Sequence, residues 1–165
     1  MRRWTILWLA LVIVAMDRIL KIWVARTMVV GQSITVIPHV LWITYILNSG
    51  AAFSLLPHST FLFVGVAFLL LGAVGYAAWK VKDLSPRAIW GLGLLAGGSA
   101  GNLWDRLISG RVIDYIHVRF SAVFFNLADS AIVVGILLLV WEYGRRQGRE
   151  DDANTSRNSG GSAKG

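Results

Sequence analysis

From Phe61 to Trp79 the chain carries no charged side chain. At ~1.5 Å of rise per residue that run is long enough to cross the ~30 Å hydrocarbon core of a bilayer. Three more apolar stretches accompany it. One runs from Trp4 to Met16 and resumes, past Asp17 and Arg18, from Ile19 to Val24; a second follows Ser85-Pro86, which reads as an N-cap with proline at the first helical position, and reaches Leu107 before Ser109-Gly110 stops it. The last runs from Leu127 to Tyr143. With 56% hydrophobic residues in 165, the chain has more apolar surface than one small water-soluble core absorbs. The expected fold is an all-α integral membrane protein, its four transmembrane helices at about 4–24, 61–79, 87–107 and 127–143.

The net charge of +7 would, in a soluble protein, point towards nucleic acid. Here the basic residues fall in short segments between apolar runs, the pattern of cytoplasmic loops, and no nucleic-acid partner is expected. Arg2, Arg3, Lys80, Lys82, Arg87, Arg145, Arg146 and Arg149 share one side if four helices alternate, so both termini are expected in the cytoplasm. No small-x-small cleavage site follows the first apolar run, which reads as a retained helix. The outer side then holds residues 25–60 and 108–126. Ser33 to Val36 and Leu41 to Leu47, separated by Pro38-His39, alternate loosely as two strands of a small outer sheet. Arg111 to Phe120 fits a strand or a short interfacial helix equally well. Residues 1–143 form the membrane-embedded domain, and 144–165, rich in Gly, Ser, Asn and charge, read as a disordered cytoplasmic tail.

Ionisable side chains inside a bilayer cost roughly 2.5 to 3.5 kcal/mol each, so they mark partners or function. The first helix has Asp17 and Lys21, the third Asn102, Asp105 and Arg106, the fourth Asn126 and Asp129, each set on one helix face. Counted from the cytoplasmic ends, Asp17, Asn102 and Asp129 all lie roughly 20 Å deep. Asn48 and Asp114, in the outer loops, can reach that level. Gly93, Gly97 and Gly101 recur at every fourth position, which permits close helix approach. Without cysteine, and with His39, His58 and His117 scattered through loops, neither thiolate chemistry nor a zinc site is expected, and no metal or cofactor. Two carboxylates in a low-dielectric site cannot both ionise easily, so one keeps a proton while the other acts as base on water. Asp17, Asp105, Asp114 and Asp129 are the candidates, and spacing alone does not choose among them.

These residues sit in a series of motifs: Asp17 with Lys21; Asn48-Ser49-Gly50-Ala51-Ala52-Phe53; the run from Gly97 to Arg106 containing Gly101-Asn102-Leu103-Trp104-Asp105-Arg106; Val112-Ile113-Asp114; and Phe125-Asn126-Leu127-Ala128-Asp129-Ser130. Together, in this order, they resemble the lipoprotein signal peptidases, also called signal peptidase II, over everything but the tail. Two departures stand out: Leu20, where that family places Ser or Thr before the lysine, and a shorter interval between Asp114 and Asp129 than that family shows. The resemblance implies an intramembrane aspartyl endopeptidase of the bacterial cell membrane with Asp114 and Asp129 as catalytic dyad. It implies that Asn48, Gly50, Asn102, Arg106 and Asn126 shape the site and hold the substrate, with Asp17, Lys21 and Asp105 in support. It further implies prolipoprotein substrates cut just before a diacylglyceryl-modified cysteine; apart from the resemblance, membrane lipids are the expected surroundings and a monomer the expected state.

Simpler roles compete for the same residues. Asp17 and Lys21 could be an ion pair that only fixes packing; Asn126 and Asp129 could be an N-cap and its N3 acid, a role compatible with catalysis because a helix N-terminus favours an ionised carboxylate. Asp105-Arg106 reads as a structural pair at a helix end, the eight tryptophans as interface anchors, and the glycines as packing surface. Two other functions fit intramembrane polar groups: an ion path, opposed by the lack of an inverted repeat, and a non-catalytic assembly or lipid-binding protein, which would tolerate Asp-to-Asn changes.

Overall fold

In the computed structural model, residues 2–50, 60–81, 83–119 and 123–161 are described, with side chains from 3 to 149. Ala51 to Phe53, His58, Lys82, Phe120 and the last four residues of the chain therefore lie outside the described residues. Four helices and four strands occur among those described, in the order α1 (Arg2–Thr27), β1 (Ser33–Ile37), β2 (Leu41–Asn48), α2 (Thr60–Lys80), α3 (Pro86–Ser109), β3 (Val112–Val118), β4 (Phe124–Phe125) and α4 (Leu127–Gly161).

α3 packs between α1 and α4, and its small residues are the reason. A Cβ on Gly93 would fall 2.6 Å from Leu9, on Gly97 2.7 Å from Ile13, and on Gly98 into the carbonyl oxygen of Ala128. The neighbouring helices thus touch the α3 backbone itself. At its start Ser85 accepts from the Ala88 amide at 3.2 Å with Pro86 following, and at its end Gly110 takes φ 70° and returns its amide to the Arg106 carbonyl. The chain then leaves directly into β3.

The strands form one antiparallel sheet in sequence order, β1-β2-β3-β4. Pairing with β2 decides the ambiguous segment after Arg111 in favour of a strand. Between Ile43 and Ile46 the register of β2 against β3 shifts, and the bulge turns two successive residues, Thr44 and Tyr45, into buried positions. Tyr45 joins Val24, Met28 and Tyr115 in an apolar cluster that seats the sheet on the end of α1. A second cluster, Ile6, Val74, Leu84, Ala88, Ile89, Leu92 and Leu95, closes the opposite end of the bundle. There Arg3 donates to the Trp79 carbonyl and Arg146 to the Asp83 carbonyl, both at 3.0 Å, so these basic residues cluster at the end away from the sheet.

Burial is inverted relative to a soluble bundle. Phe61, Leu69 and Ile108 are 91%, 73% and 73% exposed, whereas Asp17, Lys21, Asp114 and Asn126 are at most 1% exposed. Among the described residues two helices, Thr60–Lys80 and the Leu127–Arg149 part of α4, are long and apolar enough to cross a membrane. α4 runs on through Tyr143 to Gly161, into the segment that the sequence reads as a tail. Glu142 pairs with Arg146 at 3.1 Å and Gln147 donates to the Tyr143 hydroxyl at 2.7 Å, i,i+4 contacts that carry the helix past its apolar part without a proline to stop it.

Candidate active site

The deepest part of the site is built on Lys21. Fully buried, its ammonium reaches Asp17 Oδ2 at 2.7 Å, Asp105 Oδ2 at 2.8 Å and Asn102 Oδ1 at 3.0 Å. Asp105 also accepts from Arg18 at 2.6 Å. Two cations and two carboxylates thus balance inside the helix contact, which is the only state in which such groups are tolerated there. Asp105 pairs with α1 and not with its neighbour Arg106, whose guanidinium instead lies 4.9 Å over the Phe63 ring of α2. Sequence reasoning passed over Arg18; a second cation next to Asp17 within an apolar run was the available signal.

Gly101 leaves room for Asp17, whose Oδ2 would lie 2.8 Å from an added Cβ. The other oxygen of Asp17 accepts from the Ala128 amide at 3.1 Å. Asn126 and Asp129 form a reciprocal cap: Asp129 N donates to Asn126 Oδ1 at 2.9 Å and Asn126 N to Asp129 Oδ2 at 3.2 Å. Asp129 Oδ1 accepts from the Asn102 amide at 2.7 Å. Asn102 therefore connects the Lys21 cluster to Asp129.

Asp114 arrives from the sheet. Its Oδ1 accepts from Asn126 Nδ2 at 2.7 Å and its Oδ2 from Asn48 Nδ2 at 2.8 Å, while Asn48 Oδ1 is occupied by the Gly50 amide at 2.9 Å. Asn126 is thus bonded to both Asp114 and Asp129. Burial, and then the nearby charge of Asp129, push the Asp114 carboxyl up to about 7 against the pull of its two asparagine donors.

A cavity of about 740 Å³ opens on these groups. Asn48, Asn102, Arg106, Asp114 and Asp129 contribute its polar wall; Phe63, Val66, Phe124, Phe125 and Val133 are among its apolar residues. Of the ten residues singled out from the sequence, Asn48, Gly50, Asn102, Arg106, Asp114 and Asp129 line the cavity, and Asp17, Lys21, Asp105 and Asn126 stand behind it.

Two carboxylates share one cavity wall, one of them biased towards its protonated form, and Asn126 donates to both, through its side-chain amide to Asp114 and through its backbone amide to Asp129; this is the kind of pair an aspartic hydrolase uses. The comparisons agree. A family model described as Signal peptidase (SPase) II matches residues 9–144. The lipoprotein signal peptidase of Desulfitobacterium hafniense is 44% identical over 140 residues, covering 82% of this chain and 90% of that protein, and that of Pelotomaculum thermopropionicum is 45% identical over 130 residues, covering 79% and 85%. A solved bacterial membrane enzyme superposes with a TM-score of 0.80 at 32% identity, covering 87% of this chain and 89% of that one. The chain belongs to the signal peptidase II family, the lipoprotein signal peptidases, aspartic peptidases that cleave signal peptides from prolipoproteins.

Proposed function

We propose that Asp114 and Asp129 are the catalytic dyad of this peptidase and that the scissile bond is the one preceding a diacylglyceryl-modified cysteine. The observation that carries this reading is Asn126, hydrogen-bonded to both carboxylates at the wall of the cavity. Asp129, at the N-terminus of α4, is the ionised member and takes a proton from water as the water oxygen attacks the peptide carbonyl. Asp114, raised towards neutrality, keeps its proton and hydrogen-bonds the carbonyl oxygen, stabilising the negative charge that develops there. The proton on Asp129 then passes to the leaving amine as the C–N bond breaks. Asn48, Asn102 and Asn126 hold the two carboxylates in place, Gly50 holds Asn48, and Arg106 supplies a cation at the cavity wall. Asp17, Lys21 and Asp105 support them from behind.

All four helices cross the membrane in this reading, with both termini and the α2–α3 connection in the cytoplasm and the sheet at the outer surface. Support comes from the inverted burial and from the basic residues at the end opposite the sheet. The 35 residues of α4 exceed the ~20 needed to span, so its continuation beyond 143 projects into the cytoplasm. The substrate enters sideways from the bilayer as a membrane-anchored precursor and meets a monomer. Each buried methylene of its acyl chains adds ~0.8 kcal/mol of membrane affinity, so the lipid is required for efficient cleavage.

The test is cleavage of a synthetic precursor peptide, with and without the diacylglyceryl group, by the purified protein and its Asp114→Asn and Asp129→Asn variants. The expected result is cleavage of the lipidated peptide alone, and variants that stay folded and bind it without cutting. Near-normal cleavage by either variant would return Asp17 or Asp105 to consideration; equal cleavage of both peptides would remove the lipid requirement.

A further inference from the structure

The first turn of α4 is held from three directions. Its leading amides have no acceptor within the helix, as at any helix start. Asp129 N is taken by the cap side chain Asn126 at 2.9 Å, and Ala128 N by Asp17 of α1 at 3.1 Å. Leu127 N donates to the hydroxyl of Tyr115 on β3 at 3.2 Å. Only at Ser130, whose amide reaches the Asn126 carbonyl at 3.2 Å, does the helix begin to satisfy itself.

Tyr115 follows Asp114 on the same strand, and neighbouring strand residues project to opposite faces. Asp114 turns to the cavity and grips the cap side chain; Tyr115 turns to the side packed on α1 and grips the next amide. The carbonyl of Ile113 accepts from the Asn126 amide as well, at 3.3 Å. Three successive residues of β3 therefore hold Asn126 and Leu127, and the strand bearing one dyad carboxylate is tied to the helix bearing the other. The Tyr115 ring is fixed among Val24, Met28 and Tyr45, so its hydroxyl sits on an anchored lever.

We infer that Tyr115 is a positioning residue for peptide cleavage, its hydroxyl setting where Asp129 stands relative to Asp114. The inference rests on the dyad reading above. Burial pushes the Tyr115 phenol up to about 12, so it remains a neutral acceptor throughout the working range. Phenylalanine at 115 would preserve the packed ring and leave Leu127 N without its partner. α4 could then shift against β3, and reacting groups misplaced by about 1 Å cost up to ~100-fold in rate.

The experiment uses the purified full chain and the lipidated precursor peptide. Tyr115→Phe removes the acceptor; Leu127→Pro removes the donor at the first helical position, where proline is tolerated; Leu127→Ala measures the side-chain loss that accompanies it. Tyr115→Phe should lower kcat about tenfold with KM within about twofold. Its bell-shaped pH dependence should narrow, because loosening the two carboxylates reduces the splitting of their shared titration. The other charged groups around the site, Asp17, Arg18 and Lys21 on α1 and Asp105 and Arg106 on α3, are unchanged in every variant, so the narrowing reports the dyad. Leu127→Pro should match Tyr115→Phe once the Leu127→Ala effect is removed, and the double variant should fall no further than either. Wild-type kcat and pH width in Tyr115→Phe would overturn the inference. If Tyr115→Phe does not fold, Leu127→Pro, which leaves the ring in place, decides by the same two readouts. Asp129→Asn is measured alongside: an inactive Asp129→Asn with unaltered Tyr115→Phe refutes the role of Tyr115 alone, whereas an active Asp129→Asn refutes the dyad on which it stands.

Discussion

Replacing Lys21 with methionine keeps an unbranched side chain one atom shorter and removes the charge at the centre of the α1–α3 contact. The Asp17 and Asp105 oxygens that touch its ammonium at 2.7 and 2.8 Å are necessarily less than about 6 Å apart. At an effective dielectric of ~20, two unit charges at that separation repel by roughly 3 kcal/mol, which agrees with the ~3 to 5 kcal/mol typical of a buried pair that loses one partner. For a chain of this size each kcal/mol moves the unfolding midpoint by ~2 to 4 °C, so the variant should melt roughly 6 to 12 °C below the parent in detergent. Adding Asp17→Asn restores neutrality, since Arg18 still pairs with Asp105 at 2.6 Å, and should recover part of that loss. Cleavage should fall along with stability, because Lys21 also fixes the Asn102 oxygen whose amide partner holds Asp129. The assay is thermal unfolding by intrinsic fluorescence, paired with peptide cleavage. A midpoint within about 2 °C of the parent, or no recovery in the double variant, would show that the cluster is not energetically coupled as described.

Gly98→Ala should destabilise far more than Gly65→Ala, because the first added methyl meets the Ala128 carbonyl and the second meets nothing within 4 Å; comparing the two unfolding midpoints checks this. The raised Asp114 carboxyl binds its proton more tightly in the folded chain than in the unfolded one, where 3.8 applies. Its contribution to stability is complete below 3.8 and lost as pH rises through about 7, so the midpoint should decline between about pH 4 and 7 and decline less in Asp114→Asn. In the proposed mechanism activity falls as pH rises through about 7, where Asp114 and Asp129 lose their shared proton, measured as kcat against pH. Because the chain lacks cysteine, single cysteines at Gln32 and Arg145 report sidedness directly: an impermeant reagent added outside intact cells should label the first and spare the second.

Much of the fold was readable because apolar length and basic clustering are properties of local sequence. The start of α3 at Ser85-Pro86 and its end at Gly110 follow from capping chemistry that needs no tertiary partner. The sheet was less legible. Residues 112–118 have apolar side chains that suit helix or strand, and only pairing with β2 decides between them; β4 is two phenylalanines, too short to show any period. The continuation of α4 was hidden by composition, since Gly, Ser and Asn in 144–161 suggest disorder, while the i,i+4 contacts of Glu142 with Arg146 and Tyr143 with Gln147 extend the helix past its apolar part. The residues around the cavity stood out because polar groups in apolar runs are conspicuous. Tyr115 did not, because a tyrosine in a strand is ordinary and its value lies in the helix amide it meets across the fold.

The three glycines of α2 differ from those of α3. Gly65, Gly72 and Gly75 have no atom within 4 Å of where a side chain would begin, yet the same helix lends Phe63, Val66 and Ala67 to the cavity wall. Chemistry and accommodation are therefore divided between elements: the polar groups come from α1, α3, α4 and the sheet, and α2 contributes apolar side chains to the facing wall. An engineer seeking altered signal-peptide preference can diversify Phe63, Val66 and Ala67 while leaving every hydrogen bond of Asp114 and Asp129 untouched.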